Sequence, residues 1–336
     1  MRKKSMRSVL SATVLAFGFA GGAQASLTAF QSYVGNVGLS TSGFGSTTQA
    51  GSITATVPIG ATVLNAYLYT STFGSFSGAG GTLSSNTLSY TNLGTNSSPS
   101  VLTAGRADVT SIVKPLIDGG PGGLYIFRVT ETSSSQDGEA LVVVYTLPSL
   151  AVSTIGILDG FSQSSGDSFV VNFASPLNPI ASGFVADLRL GIGFSFDGTG
   201  CTNSGQTSRV TVNSTVITNS AGCNDDSVDA SPNNGNLITV GGNNDAFSAL
   251  LPSVSADHER YNLTPQIGVG DTTIKVNTFN ASNDDNIFLA VLQVTGIGGI
   301  NAPPPGPTPV PEPTTLVLVG LALAGLGVQR RRAARS

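Results

Sequence analysis

Residues 140–146, Ala-Leu-Val-Val-Val-Tyr-Thr, are the stretch that decides the fold class of this chain. The run is apolar along its length and dominated by β-branched and aromatic residues, which favour strands over helices. A strand with one face in water alternates apolar and polar residues, and this run does not. It therefore predicts a strand that is covered by other parts of the protein on both faces.

Further strand-like segments surround this run at short intervals. Residues 53–57 and 63–69 alternate apolar and polar side chains, as half-buried strands do. Gly, Asn, Ser, Asp and Pro separate the segments, which indicates turns. Apart from the expected N-terminal signal helix and a short C-terminal hydrophobic helix, only residues 108–117 resemble a helix, where Asp108 is a candidate cap and Pro115 weakens the pattern. The other predicted strands are residues 124–130, 152–158, 168–173, 184–196, 209–218, 273–279 and 287–294.

The composition agrees with an all-β fold. Charged residues make up 10% of the 336 residues, and Gly, Ser, Thr and Asn replace them. These residues are poor in helix interiors and common in turns. We expect a β-sandwich or jelly roll, either one large sandwich or two consecutive ones over residues 26–150 and 151–300.

Charge is distributed unevenly along the chain. Four basic residues lie within the first seven positions and four more after residue 329. The body between them, without the C-terminal tail that contains Glu312, holds seven basic and 18 acidic residues, a net charge of −11. An acidic body argues against nucleic acid as a partner, because phosphate contacts require basic side chains.

The first 25 residues have the three parts of a secretory signal peptide. A basic start precedes an apolar run over residues 9–20, which is too short to span a bilayer. Ala23 and Ala25 form a small-x-small cleavage pattern. The alternative is a buried N-terminal helix. The basic start consists of Arg2, Lys3, Lys4 and Arg7.

The C-terminal end has an equally ordered layout. A Pro-rich segment over residues 301–313 predicts an extended linker. It ends in Pro311, Glu312 and Pro313, and an apolar run over residues 316–328 leads to Arg330, Arg331 and Arg332. The arginines resist translocation, and the glycines in the apolar run weaken it as a helix. A simple tail anchor is the alternative to a processed signal.

Residues 310–333 resemble the PEP-CTERM sorting signal of Gram-negative bacteria, a Pro-Glu-Pro followed by a short hydrophobic helix and an arginine cluster. The resemblance implies Sec-type export and recognition by an exosortase, a membrane protease. It implies transient attachment of the tail to the inner membrane, with the cell surface or extracellular space as the destination. Such proteins generally accompany exopolysaccharide production, so the resemblance also implies a matrix or biofilm role.

The body is similar to a group of exported bacterial and archaeal surface proteins of unknown function. The similar stretches cover most of residues 50–295 and imply the fold rather than an activity. They are residues 61–69, 107–110, 138–145, 158–161, 271–274 and 282–290.

Cys201 and Cys223 are the only cysteines, and they flank a predicted hairpin. In an exported chain an isolated pair is most simply a disulfide, which stabilises a loop of this length by about 3 kcal/mol. A metal or redox pair is the alternative, although the spacing matches no zinc motif.

Oxygen-rich clusters suggest calcium as a cofactor, since calcium takes carboxylate, amide and carbonyl oxygens. None of the clusters has EF-hand spacing, and polar loops without an ion have the same composition. Asn243, Asn244 and Asp245 form a similar cluster. The candidate ligands are Asp225, Asp226, Asp229, Asp284 and Asp285.

No catalytic set emerges from the sequence. His258 is the only histidine, and we interpret it as a loop residue whose charged neighbours Asp257, Glu259 and Arg260 form local pairs. No Gly-x-Ser-x-Gly elbow accompanies it, and the acids are expected mostly in turns. We therefore expect a protein that is not an enzyme.

Three functions remain open at this point. The favoured one is a structural or adhesive protein of the cell envelope or extracellular matrix. The second is a carbohydrate-binding module for the cell's own polysaccharide, which an exposed row of Tyr or Phe would favour. The third is a hydrolase with a carboxylate site that the sequence does not mark.

Overall fold

The computed structural model describes residues 27–45, 48–95, 102–162, 166–194, 208–221, 237–280 and 285–300. Nearly every element in these ranges is a strand, and a single short α-helix, α1 (Thr110–Ile117), accompanies them. The strands are β1 (Thr28–Gly35), β2 (Val37–Gly45), β3 (Ala50–Val57), β4 (Thr62–Phe73), β5 (Gly81–Leu83), β6 (Asn86–Thr87), β7 (Thr91–Thr95), β8 (Leu102–Asp108), β9 (Gly123–Glu131), β10 (Gln136–Thr146), β11 (Ser153–Asp159), β12 (Ser168–Phe173), β13 (Ala186–Phe194), β14 (Ser208–Val212), β15 (Thr215–Ala221), β16 (Ile238–Val240), β17 (Arg260–Asn262), β18 (Thr273–Asn280), β19 (Asp285–Thr295) and β20 (Gly298–Ile300).

Strand β10 contains the run that the sequence marks as covered on both faces. It pairs antiparallel with β2 on one side and with β4 on the other, so it lies inside a sheet. Leu141 and Val143 face one apolar core, and Ala140, Val142 and Val144 face a second core on the opposite side. The prediction for residues 140–146 is therefore confirmed.

The strands form four antiparallel sheets, which we number in the order in which they stack. Sheet 1 has the strand order β3-β9-β5-β6, and sheet 2 has the order β2-β10-β4-β8-β7. Sheet 3 has the order β1-β11-β19-β13-β16, with β17 also paired to β13, and sheet 4 has the order β15-β14-β18-β12-β20.

Three apolar cores separate the four sheets. Between sheets 1 and 2, Ile53 and Phe127 pack with Leu68 and Leu141. Between sheets 2 and 3 lie Tyr69, Val142, Ile155, Phe288 and Val291. Between sheets 3 and 4 lie Phe169, Leu188, Val276 and Leu292. Two sandwiches thus stack face to face through sheets 2 and 3, and the all-β sandwich prediction is confirmed.

Strand β1 pairs with a strand from the C-terminal half of the chain and not with the strands that directly follow it. Sheets 1 and 2 are formed within residues 37–146, and the other strands of sheets 3 and 4 lie within residues 153–300. β1 pairs with β11 of sheet 3, where Tyr33 is the register partner of Ile155, and the chain then enters sheet 2 at Val37. The predicted division at residue 150 stays a prediction. Strand β1 comes from the first half of the chain but lies in a sheet formed by the second half.

The helix predicted near residue 110 is present and short. Asp108 accepts a hydrogen bond from the backbone N–H of Thr110 at its start, and Pro115 lies on its exposed side. Val113 and Ile117 are buried in the core between sheets 1 and 2. The helix therefore closes one end of that core rather than forming a layer of its own.

Candidate functional site

Most residues that the sequence marks as functional lie outside the described part of the chain. Asp285 begins β19, where its backbone pairs with Phe194. The predicted residues outside are the sorting residues Pro311, Glu312, Pro313, Arg330, Arg331 and Arg332, the cleavage residues Ala23 and Ala25, the cysteines Cys201 and Cys223, and the calcium candidates Asp225, Asp226, Asp229 and Asp284.

The hairpin predicted between the two cysteines is β14 and β15. Its turn is Asn213-Ser214, with φ values of 45° and 75°, as a two-residue hairpin turn of this hand requires. Ser208 and Ala221 are register partners at the open end. Cys201 and Cys223 lie outside the described residues on either side of this hairpin in sequence, and the disulfide stays a prediction.

Arginine side chains donate hydrogen bonds to the oxygen-rich loop at Asn243–Asp245. The Arg189 guanidinium donates to Oδ1 of Asn243, and Nη1 of Arg260 donates to the carbonyl of Asp245 at 2.8 Å. Oδ2 of Asp245 accepts from the backbone N–H of Gly242 at 2.5 Å. The Asn243 amide oxygen and the Asp245 carbonyl of this loop therefore accept from arginines of the protein itself, and the Asp245 carboxylate accepts from a backbone N–H.

A buried carboxylate organises those two arginines. Oδ2 of Asp187 accepts from Nη2 of Arg189 at 2.8 Å and from Nη2 of Arg260 at 3.0 Å, and the Asp187 side chain is 4% exposed. Nη1 of Arg189 also donates to Oγ1 of Thr41 at 2.8 Å. Because Thr41 belongs to β2, this network ties sheet 3 to sheet 2.

Asp257 and Glu259 lie in a loop, as expected, but both are fully buried rather than on the surface. Asp257 accepts hydrogen bonds from the hydroxyls of Thr218, Ser248 and Tyr261. Glu259 accepts from Thr239 at 2.6 Å. Tyr261 and Ser248 are near Asp257 in sequence, whereas Thr218 and Thr239 come from other strands, which local sequence cannot indicate.

A second polar cluster lies at the edge where β1 crosses over sheet 2. Arg106 forms an ion pair with Asp159 and lies over the ring of Phe30, 3.3 Å from its centroid. The Tyr69 hydroxyl donates to Asp159 at 3.1 Å. Burial raises the pKa of the Asp159 carboxyl, and Arg106 opposes that rise. The cluster holds β1 and β11 against sheet 2.

The third cluster is acidic and lies between sheets 1 and 2. Glu131 at the end of β9 and Glu139 in β10 are buried. Gln136 contacts the cluster, with its Nε2 3.5 Å from Oε1 of Glu139, and the Tyr90 hydroxyl is buried beside it. Burial is the main cause that raises the pKa of Glu131 to about 11 and that of Glu139 to about 8.

The expectation that the acids lie mostly in turns fails for the described body. Five of the buried acids lie within a strand or at its end, and Glu139 directly precedes the run at 140–146, whereas Asp257 and Glu259 lie in the loop before β17. An acid at a strand position that alternates in step with the buried apolar residues is the sequence signal for a buried carboxyl. The buried acids are Glu131, Asp137, Glu139, Asp159, Asp187, Asp257 and Glu259.

None of these clusters presents a metal centre in the described residues. No group of three or more His, Cys, Asp or Glu side chains there is arranged to hold a metal ion. Within the same ranges, no helix is long and apolar enough to cross a membrane. The apolar run at residues 316–328 lies outside those ranges.

Comparison with protein families finds the PEP-CTERM protein-sorting motif at residues 309–332. The match supports the predicted sorting signal and the assignment of the chain as an exosortase substrate. It implies export, transient anchoring in the membrane and then the cell surface. No curated protein and no solved structure matches the chain. The resemblance of the body to exported surface proteins stays a prediction.

Proposed function

We propose that this protein is a non-enzymatic structural component of the outer envelope or extracellular matrix of a Gram-negative cell, secreted with its exopolysaccharide. The observation that carries the proposal is the sorting motif at residues 309–332, which follows a folded β body in the chain. An exosortase substrate is delivered to the cell surface, so the body works there.

The body has the properties of a durable structural unit. Its four sheets enclose three apolar cores, and polar networks such as Asp187 with Arg189 and Arg260 link successive layers. Many buried side chains shared between layers slow unfolding, which protects a protein that no chaperone attends outside the cell. The acidic net charge favours solubility during export.

One pair of neighbouring carboxyls in the described residues, Glu131 with Glu139, is closed to substrate. Glycoside hydrolysis needs two acids on either side of a bound sugar. Glu131 and Glu139 lie instead between two packed sheets, 7% and 0% exposed. Their burial supports the structural role over the hydrolase.

The carbohydrate-binding hypothesis requires exposed aromatic rings in a row, since sugar rings stack on them. Each of the seven tyrosines lies in the described residues and is buried or half-buried. Phe73 and Phe247 are exposed aromatic residues, with 50% and 44% of their surface accessible. Phe73 ends β4, whereas Phe247 lies in the loop between β16 and β17. We therefore carry only the structural role forward.

Sorting is tested by fractionating cells that produce the intact chain or a variant with Pro311, Glu312 and Pro313 changed to Ala. We expect the intact chain in the matrix, shortened at both ends by mass spectrometry, and the variant in the membrane fraction with its tail. Pro304→Ala in the linker is the matched control and should behave as the intact chain. A full-length tail on protein recovered from the matrix contradicts processing.

The structural role is tested by deleting the gene and restoring either the intact chain or the sorting variant. We expect the deletion to weaken matrix cohesion, measured by rheology, without lowering the amount of polysaccharide. Only the intact chain should restore cohesion. Unchanged cohesion in the deletion strain argues against a structural role, and altered polysaccharide length points to an enzyme.

A further inference from the structure

Glu131 and Glu139 face each other from opposite sheets, and three of their four carboxylate oxygens lack a hydrogen-bond donor. Neither oxygen of the Glu131 carboxyl, nor Oε2 of Glu139, receives a hydrogen bond from the described residues. Buried carboxylates without a partner carry a large desolvation cost, and two of them also repel each other. The arrangement therefore calls for a positive charge or a proton between them.

The described surroundings supply no positive charge. Gln136 offers its amide N–H to Thr70 and Glu139, and its Oε1 accepts from the backbone N–H groups of Gly80 and Ser133. Gly81, next to Gly80, is the register partner of Glu131, so Gln136 spans the gap between the two sheets.

The titratable groups that act on the pair are acidic or phenolic. Besides burial, Glu139 and Asp137 raise the pKa of Glu131, whereas the Glu131 carboxyl and, to a smaller extent, the Tyr90 hydroxyl lower that of Glu139. No basic side chain in the described residues contributes to either shift. A carboxylate cannot donate a hydrogen bond, whereas a protonated carboxyl donates one and accepts others.

We propose that Glu131 and Glu139 form a proton-sharing carboxyl pair that joins sheet 1 to sheet 2 and comes apart as the pH rises. A proton on one carboxyl supplies the missing donor, and the other carboxyl accepts it. Below about pH 8 both carboxyls hold a proton. Hydroxide removes the first proton to form water near pH 8, which leaves one proton shared by the pair, and removal of the second near pH 11 leaves two like charges in an apolar core. The pair thus makes the first sandwich sensitive to the alkalinity of its surroundings.

The direction of the pH effect follows from where the protons are held. Burial raises the pKa of Glu139 to about 8 and of Glu131 to about 11, against 4.5 in a solvated chain. Above pH 4.5 the folded protein therefore binds more protons than the unfolded chain. The pair's contribution to stability is complete below pH 4.5 and is lost as the pH rises through about 8 and beyond.

Thermal unfolding of the full chain in a chelator tests the proposal. We expect Tm to fall by roughly 5–10 °C between pH 5 and pH 8. Glu139→Gln should remove at least half of that fall, because the amide keeps the shape and does not titrate. Asp108→Asn is the matched control, since it removes one acid from an exposed site and should retain the full fall.

Two further measurements keep the test decisive if Glu139→Gln does not fold. Glu131→Gln places a permanent donor opposite Glu139 and should flatten the same pH profile. The wild type at neutral pH should also show the infrared carbonyl band of a protonated buried carboxyl, and the Glu131→Gln, Glu139→Gln double variant should lack it.

Three results would overturn the proposal. A Tm that is flat or rises from pH 5 to pH 8 removes the effect itself. An equal fall in Glu139→Gln and Asp108→Asn assigns the effect to net charge. A Tm at pH 8 that CaCl2 raises in the wild type and not in Glu139→Gln places a cation, rather than a proton, between the carboxyls.

Discussion

At the scale of single residues, the buried charges of this protein are held by networks that combine near neighbours in sequence with partners from distant strands. Asp187 carries two arginines, and Arg189 continues the network to Thr41. Asp159 receives both Arg106 and Tyr69. A buried charge is costly to leave alone, so each of these contacts fixes the position of the strands that bring its members together.

Asp187→Asn should destabilise the body strongly, because it leaves two guanidinium groups without their carboxylate. We expect the free energy of unfolding to fall by about 3–5 kcal/mol. Lys114→Ala is the control, since it removes the half-exposed ion pair with Asp118 and should cost at most about 1 kcal/mol. Urea unfolding measures both, and equal losses would show that the Asp187 network contributes no more than a surface pair.

At the scale of the element, the packing of β10 inside the stack of sheets restricts the size of the side chains that it can carry. Gly138 lies at a bulge near its start with a φ of +141°. A Cβ there would lie 2.1 Å from the carbonyl oxygen of Phe44 on β2. Backbone of the neighbouring strand cannot yield without breaking the pairing of the two strands.

Gly138→Ala should therefore lower the free energy of unfolding by more than the strain of the positive φ alone. Gly35 is the matched control, since its φ is +144° and a Cβ added there would meet no atom within 4 Å. We expect Gly35→Ala to cost about 1–2 kcal/mol and Gly138→Ala roughly 2 kcal/mol beyond that. Chemical denaturation compares them, and a similar loss in both would mean that the clash at Phe44 relaxes freely.

At the scale of the whole molecule, the two sandwiches share an apolar core, and β1 from the N-terminal half of the chain completes a sheet of the second sandwich. Ile155, Ile157 and Val291 of sheet 3 pack against Val142 and Tyr69 of sheet 2. Separating the halves exposes these faces to water at a cost of about 25 cal/mol per Å² of apolar surface. It also removes β1 from the edge of sheet 3.

The chain cut at residue 150 should not give two stable halves. We expect the fragment over residues 151–300 to aggregate or to bind a dye specific for exposed apolar surface. Adding the fragment over residues 26–150 should suppress both effects, because it restores β1 and sheet 2. Light scattering and dye fluorescence follow this, and two monomeric halves with cooperative unfolding transitions would contradict a shared core.

Some features of this protein follow from local sequence alone. The sorting motif, the run at 140–146 and the helix near residue 110 are recognisable because composition, order and periodicity within a short window determine them. The β class follows for the same reason, since apolar runs separated by turn residues recur along the whole body.

The stacking order of the sheets and the burial of the acids were decided by tertiary structure. Arg189 and Thr41 are 148 residues apart, and β1 pairs with a strand from the other half of the chain. Glu131 and Glu139 are close in sequence, yet only the packing of sheet 1 on sheet 2 brings their side chains together. Burial and pairing depend on which surfaces meet, and no short window of sequence contains both surfaces.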